Sequence, residues 1–190
     1  MIDSKVELVL GSSSPRRQEL LKLITKSFSI RTANTDEAYN SAAPSEIVQE
    51  ISYKKSKNIE ISPEELLITA DTIVTLDGKI FGKPHDYDEA FNMLQTLSNK
   101  THCVYTGITL RSLKKLVSFY EVSKVTFYKL DEEVIDFYIK NNSVFDKAGA
   151  YAIQDFAAVF VKKIEGDYYN IMGLPLAKLY WQLRQILATL

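Results

Sequence analysis

The chain lacks the residues and segments that mark several large classes of protein. Its 190 residues include one cysteine, Cys103, so no internal disulfide can form and a reducing compartment is expected. No apolar run approaches the roughly 20 residues of a membrane span, and the apolar residues 5–10 are too few for the core of a signal peptide. We therefore expect a cytoplasmic protein with no membrane partner.

The chain also lacks an excess of positive or negative charge, and it has few of the side chains that bind soft metals. The formal net charge of −1 argues against a nucleic-acid polymer as partner, because such polymers are bound by strongly positive surfaces. The two histidines, His85 and His102, are isolated, and the patterns C-x-x-C, H-E-x-x-H and G-x-S-x-G are missing. Any bound metal should therefore be a hard cation with oxygen ligands, such as Mg²⁺ or Mn²⁺.

Hydrophobic residues are plentiful, at 46% of the chain, and their spacing predicts both strands and helices. The predicted strands are residues 8–10, 28–33, 66–76, 101–112, 116–129 and 157–164. The predicted helices are one beginning at Pro15 and those over residues 44–59, 87–98, 131–140 and 175–187. Because some strands follow one another directly while others flank helices, we expect an α/β fold, a mixed β-sheet flanked by helices.

The most informative segment, residues 8–21, has the pattern of a short strand, a Gly/Ser turn and a helix. Pro15 suits the first helical position, where no backbone N–H is needed, and Ser14 is then the natural N-cap. Arg16 and Arg17 in the first turn oppose the helix dipole, which favours an external polyanion such as a phosphate chain at this helix start. An N-capped helix with two solvated arginines is the alternative, and the local sequence leaves both open.

Three further polar residues stand where a packed core or a plain loop would not require them. Asp71 interrupts the apolar strand 66–76, and a buried carboxylate is costly unless it is paired or binds a metal, so Asp71 is a candidate site residue. The alternative is a carboxylate that satisfies a turn or a neighbouring lysine. Residues 78–84 are one residue too short for a P-loop, so Lys83 is either a phosphate contact or a solvated lysine. Gln154 follows a run of small residues and could read a base edge, or lie in a capped loop.

Taken in order along the chain, these and neighbouring segments resemble the Maf family of nucleoside triphosphate pyrophosphatases. Any one block is weakly specific, but the series runs over almost the whole chain. The blocks are Ser12-Ser13-Ser14-Pro15-Arg16-Arg17 with Glu19-Leu20-Leu21, Asp36-Glu37, Lys55, Ala70-Asp71-Thr72, Lys83-Pro84, His102-Cys103-Val104-Tyr105-Thr106-Gly107, Asp146-Lys147-Ala148-Gly149-Ala150-Tyr151 with Ile153-Gln154, and Gly173-Leu174-Pro175-Leu176.

The resemblance implies hydrolysis of a nucleoside triphosphate between its α and β phosphates, with Mg²⁺ or Mn²⁺ as cofactor. It implies that Asp71 is the proton acceptor that activates water and that Asp71 and Glu37 hold the metal. Lys83 is an implied catalytic residue together with these two carboxylates. The residues implied in substrate binding and specificity are Ser12, Arg16, Arg17, Lys55, Thr72 and Gln154.

The resemblance also implies a fold and a base preference. The fold would be one Maf-like domain over residues 1–190, elongated and two-lobed with the active cleft between the lobes, and many members are homodimers. Members that act on dTTP and UTP have Thr after the Asp and end the later block in Gln, and this chain has Thr72 and Gln154 there. A dTTP/UTP pyrophosphatase that cleans nucleotide pools is therefore expected.

Three positions depart from the family pattern, and two other functions stay open. Ser52 and Ser56 stand where Ala is common, and Asp155 replaces a usual Gly directly after Gln154, which stiffens the loop or adds negative charge near the base. One alternative is a Maf pyrophosphatase of different base preference, for CTP or 7-methyl-GTP. The other is a nucleotide-binding regulator of cell division with little turnover.

Overall fold

The computed structural model describes residue 2 and residues 5–190. Its strands are β1 (Glu7–Leu10), β2 (Ser29–Ile30), β3 (Glu65–Leu76), β4 (Lys79–Phe81), β5 (Thr101–Arg111), β6 (Leu116–Phe127) and β7 (Val161–Glu165). Its α-helices are α1 (Pro15–Lys22), α2 (Pro44–Lys57), α3 (Tyr87–Leu97), α4 (Glu132–Asn141), α5 (Tyr168–Ile171) and α6 (Leu176–Leu187). Within these described residues no helix is long and apolar enough to cross a bilayer.

The strands form a mixed sheet, which confirms the predicted fold class. Their order is β2-β1-β3-β5-β6-β7, and β4 also pairs with β3. β1 is parallel to both β2 and β3, whereas β4 is antiparallel to β3 and β7 is antiparallel to β6. β3 is buried along nearly its whole length, as its almost continuous apolar sequence requires for a strand covered on both faces.

The prediction of a strand over residues 157–164 was wrong in its first half. Phe156–Phe160 form a 3-10 turn, and β7 begins only at Val161. The Asp155 carboxylate accepts a hydrogen bond from the backbone N–H of Ala157, at 2.9 Å. This capping bond starts a helical turn, and a carboxylate at such a position competes with extended structure in a way that apolar residues alone do not reveal.

By its internal contacts the chain divides into two compact units. Unit one comprises Met1–Asp71, Thr106–Glu121 and Gly173–Leu190, and it contains α1, α2 and α6. Unit two comprises Thr72–Tyr105 and Val122–Met172, and it contains α3, α4 and α5. Unit two is built around a large buried cluster in which the rings of Phe127, Tyr138 and Phe160 pack edge to face.

Helix α2 lies very close to the sheet of unit one. It begins with Pro44 at its first turn, and its apolar side chains Ile47, Val48 and Ile51 are buried. Gly107 of β5 permits the approach, because a Cβ atom there would lie 2.3 Å from the Val48 carbonyl oxygen. The helix is therefore seated on a strand position that only glycine can occupy.

Candidate functional site

A lysine ammonium lies between two carboxylates in unit one. Asp71 is near the middle of β3 and is only 7% exposed. The Lys55 Nζ atom, on α2, is 2.7 Å from Asp71 Oδ1 and 2.8 Å from Glu37 Oε1. A lysine partner, which the sequence left open as the alternative to metal binding at Asp71, is thus present, and the same lysine brings the Glu37 and Asp71 carboxylates close together.

Hydroxyl groups fix the position of α2 relative to β3. Thr69, two residues before Asp71 and therefore on the same face of the strand, donates a hydrogen bond to the Ser52 carbonyl at 2.7 Å. The Ser52 hydroxyl pairs with Thr109 Oγ1 at 2.9 Å. Because Ser52 lies one helical turn before Lys55, these buried bonds hold the turn from which the ammonium reaches Asp71.

Arg111 supports the other end of the same helix. Its guanidinium donates to the carbonyl of Ser56, at 2.6 Å, and to that of Ile59. Ser56 lies in the last turn of α2 and Ile59 lies two residues beyond its end, where a cation complements the negative end of the helix dipole. Burial lowers the pKa of Arg111 from its usual value, and the nearby Tyr53 opposes this effect.

Arg17 is held by two residues: Ser12, in the turn after β1, and the distant Gly173. Arg17 Nη1 donates to the buried Ser12 hydroxyl at 3.2 Å, and Arg17 Nε donates to the Gly173 carbonyl at 2.9 Å. Gly173 has a φ of +105°, a conformation that glycine adopts freely. Ser12 therefore orients an arginine as well as lining the loop, and its own hydroxyl hydrogen can still be donated.

The prediction that Ser14 is the N-cap residue of α1 is confirmed, but its side chain makes no capping hydrogen bond. Instead its backbone N–H donates to Ser12 Oγ at 3.3 Å. The turn is thus ordered by a serine two residues earlier, and Pro15 needs no N–H partner at the start of the helix.

Charged groups of both signs lie near the Arg17 guanidinium. Burial lowers the pKa of Arg17, the Asp71 and Glu37 carboxylates raise it, and the neighbouring Arg16 lowers it. An arginine stays protonated under such influences, so Arg17 is a fixed positive charge. Two guanidinium groups near two carboxylates suit a ligand that carries both phosphate oxygens and a metal cation.

Glu37 and Asp71 fit the expected hard metal. Among residue 2 and residues 5–190, no cluster of three or more His, Cys, Asp or Glu side chains could hold a metal ion. Mg²⁺, however, is commonly bound through one or two protein carboxylates together with substrate phosphates. The two carboxylates joined by Lys55 supply such a pair of oxygen donors.

The remaining predicted site residues belong to unit two and lie in separate segments. Thr72 follows Asp71 on β3 and is partly buried, with its side chain on the opposite face of the strand. Lys83 is exposed and follows Gly82, whose carbonyl accepts a hydrogen bond from Gly149 N at 3.0 Å. Gln154 is exposed in the turn before the 3-10 segment.

Two residues that support the site were not predicted from the sequence. One is Gly173, through its carbonyl, and the other is Tyr138, whose hydroxyl hydrogen-bonds Ala152 and Asp155 on either side of Gln154. The glycine before Leu174-Pro175 is a turn signal that could have indicated the first. Nothing in the local pattern indicates the second, because Tyr138 occupies an ordinary core position of an amphipathic helix.

Known proteins resemble this chain over nearly its full length. The family profile described as "Maf-like protein" matches residues 7–186. A relative from Carboxydothermus hydrogenoformans named "dTTP/UTP pyrophosphatase" is 48% identical, covering 95% of this chain and 98% of its own. Relatives with the same name from Bacillus cytotoxicus and Thermosipho africanus are 46% and 44% identical, covering 94% and 92% of this chain and 95% and 91% of their own.

Two solved structures share the fold at low sequence identity. The Ham1 protein of Staphylococcus aureus superposes with a TM-score of 0.60 at 12% identity, covering 95% of this chain and 99% of that one. A HAM1 protein from Coxiella burnetii gives a TM-score of 0.52 at 13% identity, with the same coverage. The profile match and the identity to full-length relatives together establish that the chain belongs to the Maf-like protein family.

Proposed function

We propose that this protein hydrolyses dTTP and UTP to the nucleoside monophosphate and pyrophosphate. The structural observation that carries the proposal is the buried Asp71 carboxylate, held by Lys55 beside Glu37 and close to Arg17. Its relatives at 44–48% identity, named dTTP/UTP pyrophosphatase, support the substrate class. Action in the cytoplasm, as one domain and as a homodimer, belongs to the same proposal.

In the proposed reaction Asp71 accepts a proton from the attacking water. The water oxygen forms a bond to the α phosphorus as the bond to the oxygen bridging the α and β phosphates breaks, and pyrophosphate leaves with that oxygen. Arg16 and Arg17 bind phosphate oxygens, because guanidinium groups match their geometry. Lys55 orients the Asp71 carboxylate, and Lys83 adds a point charge for the phosphates.

Glu37 and Asp71 would hold the divalent metal. When bound, Mg²⁺ or Mn²⁺ offsets the negative charge that develops on the phosphate oxygens. The Lys55 ammonium, 2.7–2.8 Å from an oxygen of each carboxylate, keeps them together.

Base choice is assigned to Thr72 and Gln154. A glutamine amide offers both a donor and an acceptor, which match the N3–H and O4 edge of uracil or thymine. A site that leaves such groups unpaired with the wrong base discriminates strongly. Cytosine reverses this pattern, so we expect it to be rejected when the Gln154 amide is held in one of its two orientations.

The test is pyrophosphate release from dTTP, UTP, CTP, GTP and ATP with Mg²⁺ or Mn²⁺. Asp71→Asn removes the proton acceptor while keeping the side-chain size, and loss of a general base costs about 10²–10⁴-fold in rate. The matched control is Asp77→Asn, the same change in an exposed turn where Asp77 has a φ of +51° that asparagine accepts.

Fast hydrolysis of dTTP and UTP, lost in Asp71→Asn and kept in Asp77→Asn, is the expected result. Fastest hydrolysis of another triphosphate would retain the reaction and overturn the base preference. Full activity in Asp71→Asn would overturn the role of that carboxylate. Nucleotide binding without hydrolysis of any triphosphate would overturn the enzymatic proposal in favour of a regulator.

A further inference from the structure

One buried tyrosine of unit two binds both ends of the turn that carries Gln154. Tyr138 lies on α4 with its side chain 0% exposed. The backbone N–H of Ala152 donates to the Tyr138 hydroxyl at 3.1 Å, and that hydroxyl donates to the Asp155 carboxylate, whose oxygens lie 3.0 and 3.1 Å away. A single hydroxyl thus joins the residues on either side of Ile153 and Gln154.

The turn is closed by its own backbone as well. The N–H of Asp155 donates to the Ala152 carbonyl at 3.2 Å, so Ile153 and Gln154 are its two central residues. Ile153 is 4% exposed and anchors the turn in the core, whereas Gln154 is exposed. Gln154 is therefore the residue that the turn presents outward.

Asp155 is itself held at two points. Besides the Tyr138 hydroxyl, its Oδ1 accepts the hydrogen bond from Ala157 N at 2.9 Å that starts the 3-10 turn. The ring of Phe156 stacks on the ring of Tyr138, with 6.4 Å between centroids and 24° between planes. The backbone on the C-terminal side of Gln154 is consequently fixed by both hydrogen bonds and ring packing.

We propose that Tyr138 and Asp155 are positioning residues that fix Gln154 for base discrimination. The inference rests on the proposed function, because it takes Gln154 as the residue that reads the base. Reading a base edge requires a side chain that starts from a fixed backbone position, since small displacements weaken hydrogen bonds steeply. Asp155, which is a departure from the family pattern, would thereby strengthen the discrimination.

The first variant is Tyr138→Phe, which removes only the hydroxyl. Its readout is the ratio of kcat/KM for UTP to kcat/KM for CTP. We expect this ratio to fall about tenfold, the change that corresponds to one hydrogen bond of about 1.4 kcal/mol. The matched control is Tyr87→Phe, which removes another tyrosine hydroxyl of unit two, bonded to Asp136 at 2.5 Å, and should leave the ratio unchanged.

Two changes at Asp155 test the same bond from its other end. Asp155→Asn keeps an oxygen that can accept from Tyr138 and from Ala157, so it should retain the ratio. Asp155→Ala removes both acceptors and should lower the ratio about as much as Tyr138→Phe. If Tyr138→Phe fails to fold, this pair carries the test alone.

A double-mutant cycle separates positioning from general weakening of the fold. In the Gln154→Ala background, Tyr138→Phe should cause no further loss of the ratio, because its target is gone. A further loss of the same size would show that Tyr138 does not act through Gln154 and would overturn the inference.

The remaining outcomes distinguish the inference from the proposed function. A wild-type protein that hydrolyses neither UTP nor dTTP contradicts the proposed function itself. A wild-type protein that prefers UTP over CTP, together with an unchanged ratio in folded Tyr138→Phe and Asp155→Ala, overturns the positioning role and leaves the proposed function standing.

Discussion

Among single residues, Glu65 has an environment that links its charge to stability. Two nitrogens of Arg31 donate to its two carboxylate oxygens at 2.7 and 2.9 Å, in the two-pronged geometry that favours such pairs. The Glu65 side chain is 8% exposed and that of Arg31 is 41% exposed. The hydrogen bonds from Arg31, followed by that from Ser62 N, lower the pKa of Glu65 from 4.5 to about 2.

Glu65→Gln should therefore make unit one less stable at neutral pH, and the difference from wild type should disappear in acid. A carboxylate with a lowered pKa in the folded state stabilises above its unfolded pKa, and that stabilisation is lost as the pH falls from 4.5 to about 2. Because Arg31 is partly exposed and screened, we expect about 1–2 kcal/mol. Urea unfolding at several pH values measures it.

The exposed neighbour Glu64 gives the control for that series. Glu64→Gln should shift the free energy of unfolding by less than about 0.5 kcal/mol at any pH. A constant difference between wild type and Glu65→Gln down to pH 2 would contradict the role of the ion pair.

At the scale of elements, the close packing of α2 against β5 depends on one strand position, Gly107. A Cβ atom at Gly107 would lie 2.3 Å from the Val48 carbonyl oxygen and 2.7 Å from Gln49 N, which are backbone atoms that cannot turn aside. Gly107→Ala must therefore move α2 away from β5, at a cost of about 1–3 kcal/mol or more. Thermal and urea unfolding measure this cost.

The same displacement should lower activity, because α2 carries Lys55. We expect a fall in kcat that persists at temperatures where Gly107→Ala is fully folded. Gly82→Ala is the stability control, since nothing lies within 4 Å of a Cβ atom there. Equal stability of the two variants would show that α2 can shift at no cost.

Most helices and strands could be predicted from the sequence because the residues that favour them lie within the element itself. The spacing of Ile47, Val48 and Ile51 and the prolines at helix starts predicted helices that the structure confirms. The 3-10 turn at Phe156–Phe160 was missed because an apolar run there resembles a strand, and only the Asp155 capping bond reverses that preference.

Within the candidate site, the side chains assigned to function could be predicted from the sequence, but the residues whose hydrogen bonds hold them in place could not. Asp71 was recognised as a carboxylate in an apolar strand, and Lys55 was assigned through family resemblance. The bond from Arg17 to the Gly173 carbonyl spans 156 positions of sequence, so no local pattern can predict it. The same holds for Tyr138, which reaches Asp155 across 17 positions.

At the scale of the whole molecule, acid acts on the two units at different pH values. His102, in unit two, is 1% exposed, and its Nε2 lies 2.8 Å from the Tyr151 hydroxyl. Burial lowers the pKa of His102 from 6.5 to about 4. As the pH falls through this interval the unfolded chain takes up a proton that the folded chain does not, so stability decreases.

We expect wild-type protein to lose about 2–3 kcal/mol between pH 7 and pH 4.5 from this histidine, before the Glu65 pair of unit one begins to contribute. His102→Gln should lack this loss, whereas His85→Gln, at an exposed position, should keep it. Urea unfolding over this range is the measurement, and a slope shared by wild type and His102→Gln would refute the assignment.

Within β3 the chain passes from unit one to unit two at a single peptide bond. Asp71 ends the first segment of unit one, and Thr72 begins the first segment of unit two. The residues assigned to proton transfer and metal binding thus belong to one unit, and those assigned to base choice, Thr72 and Gln154, belong to the other. Under these assignments, substitutions at Thr72 and Gln154 can change the nucleotide preference during evolution while Asp71 and Glu37 stay unchanged, so that new substrate ranges arise with the same proton acceptor and metal ligands.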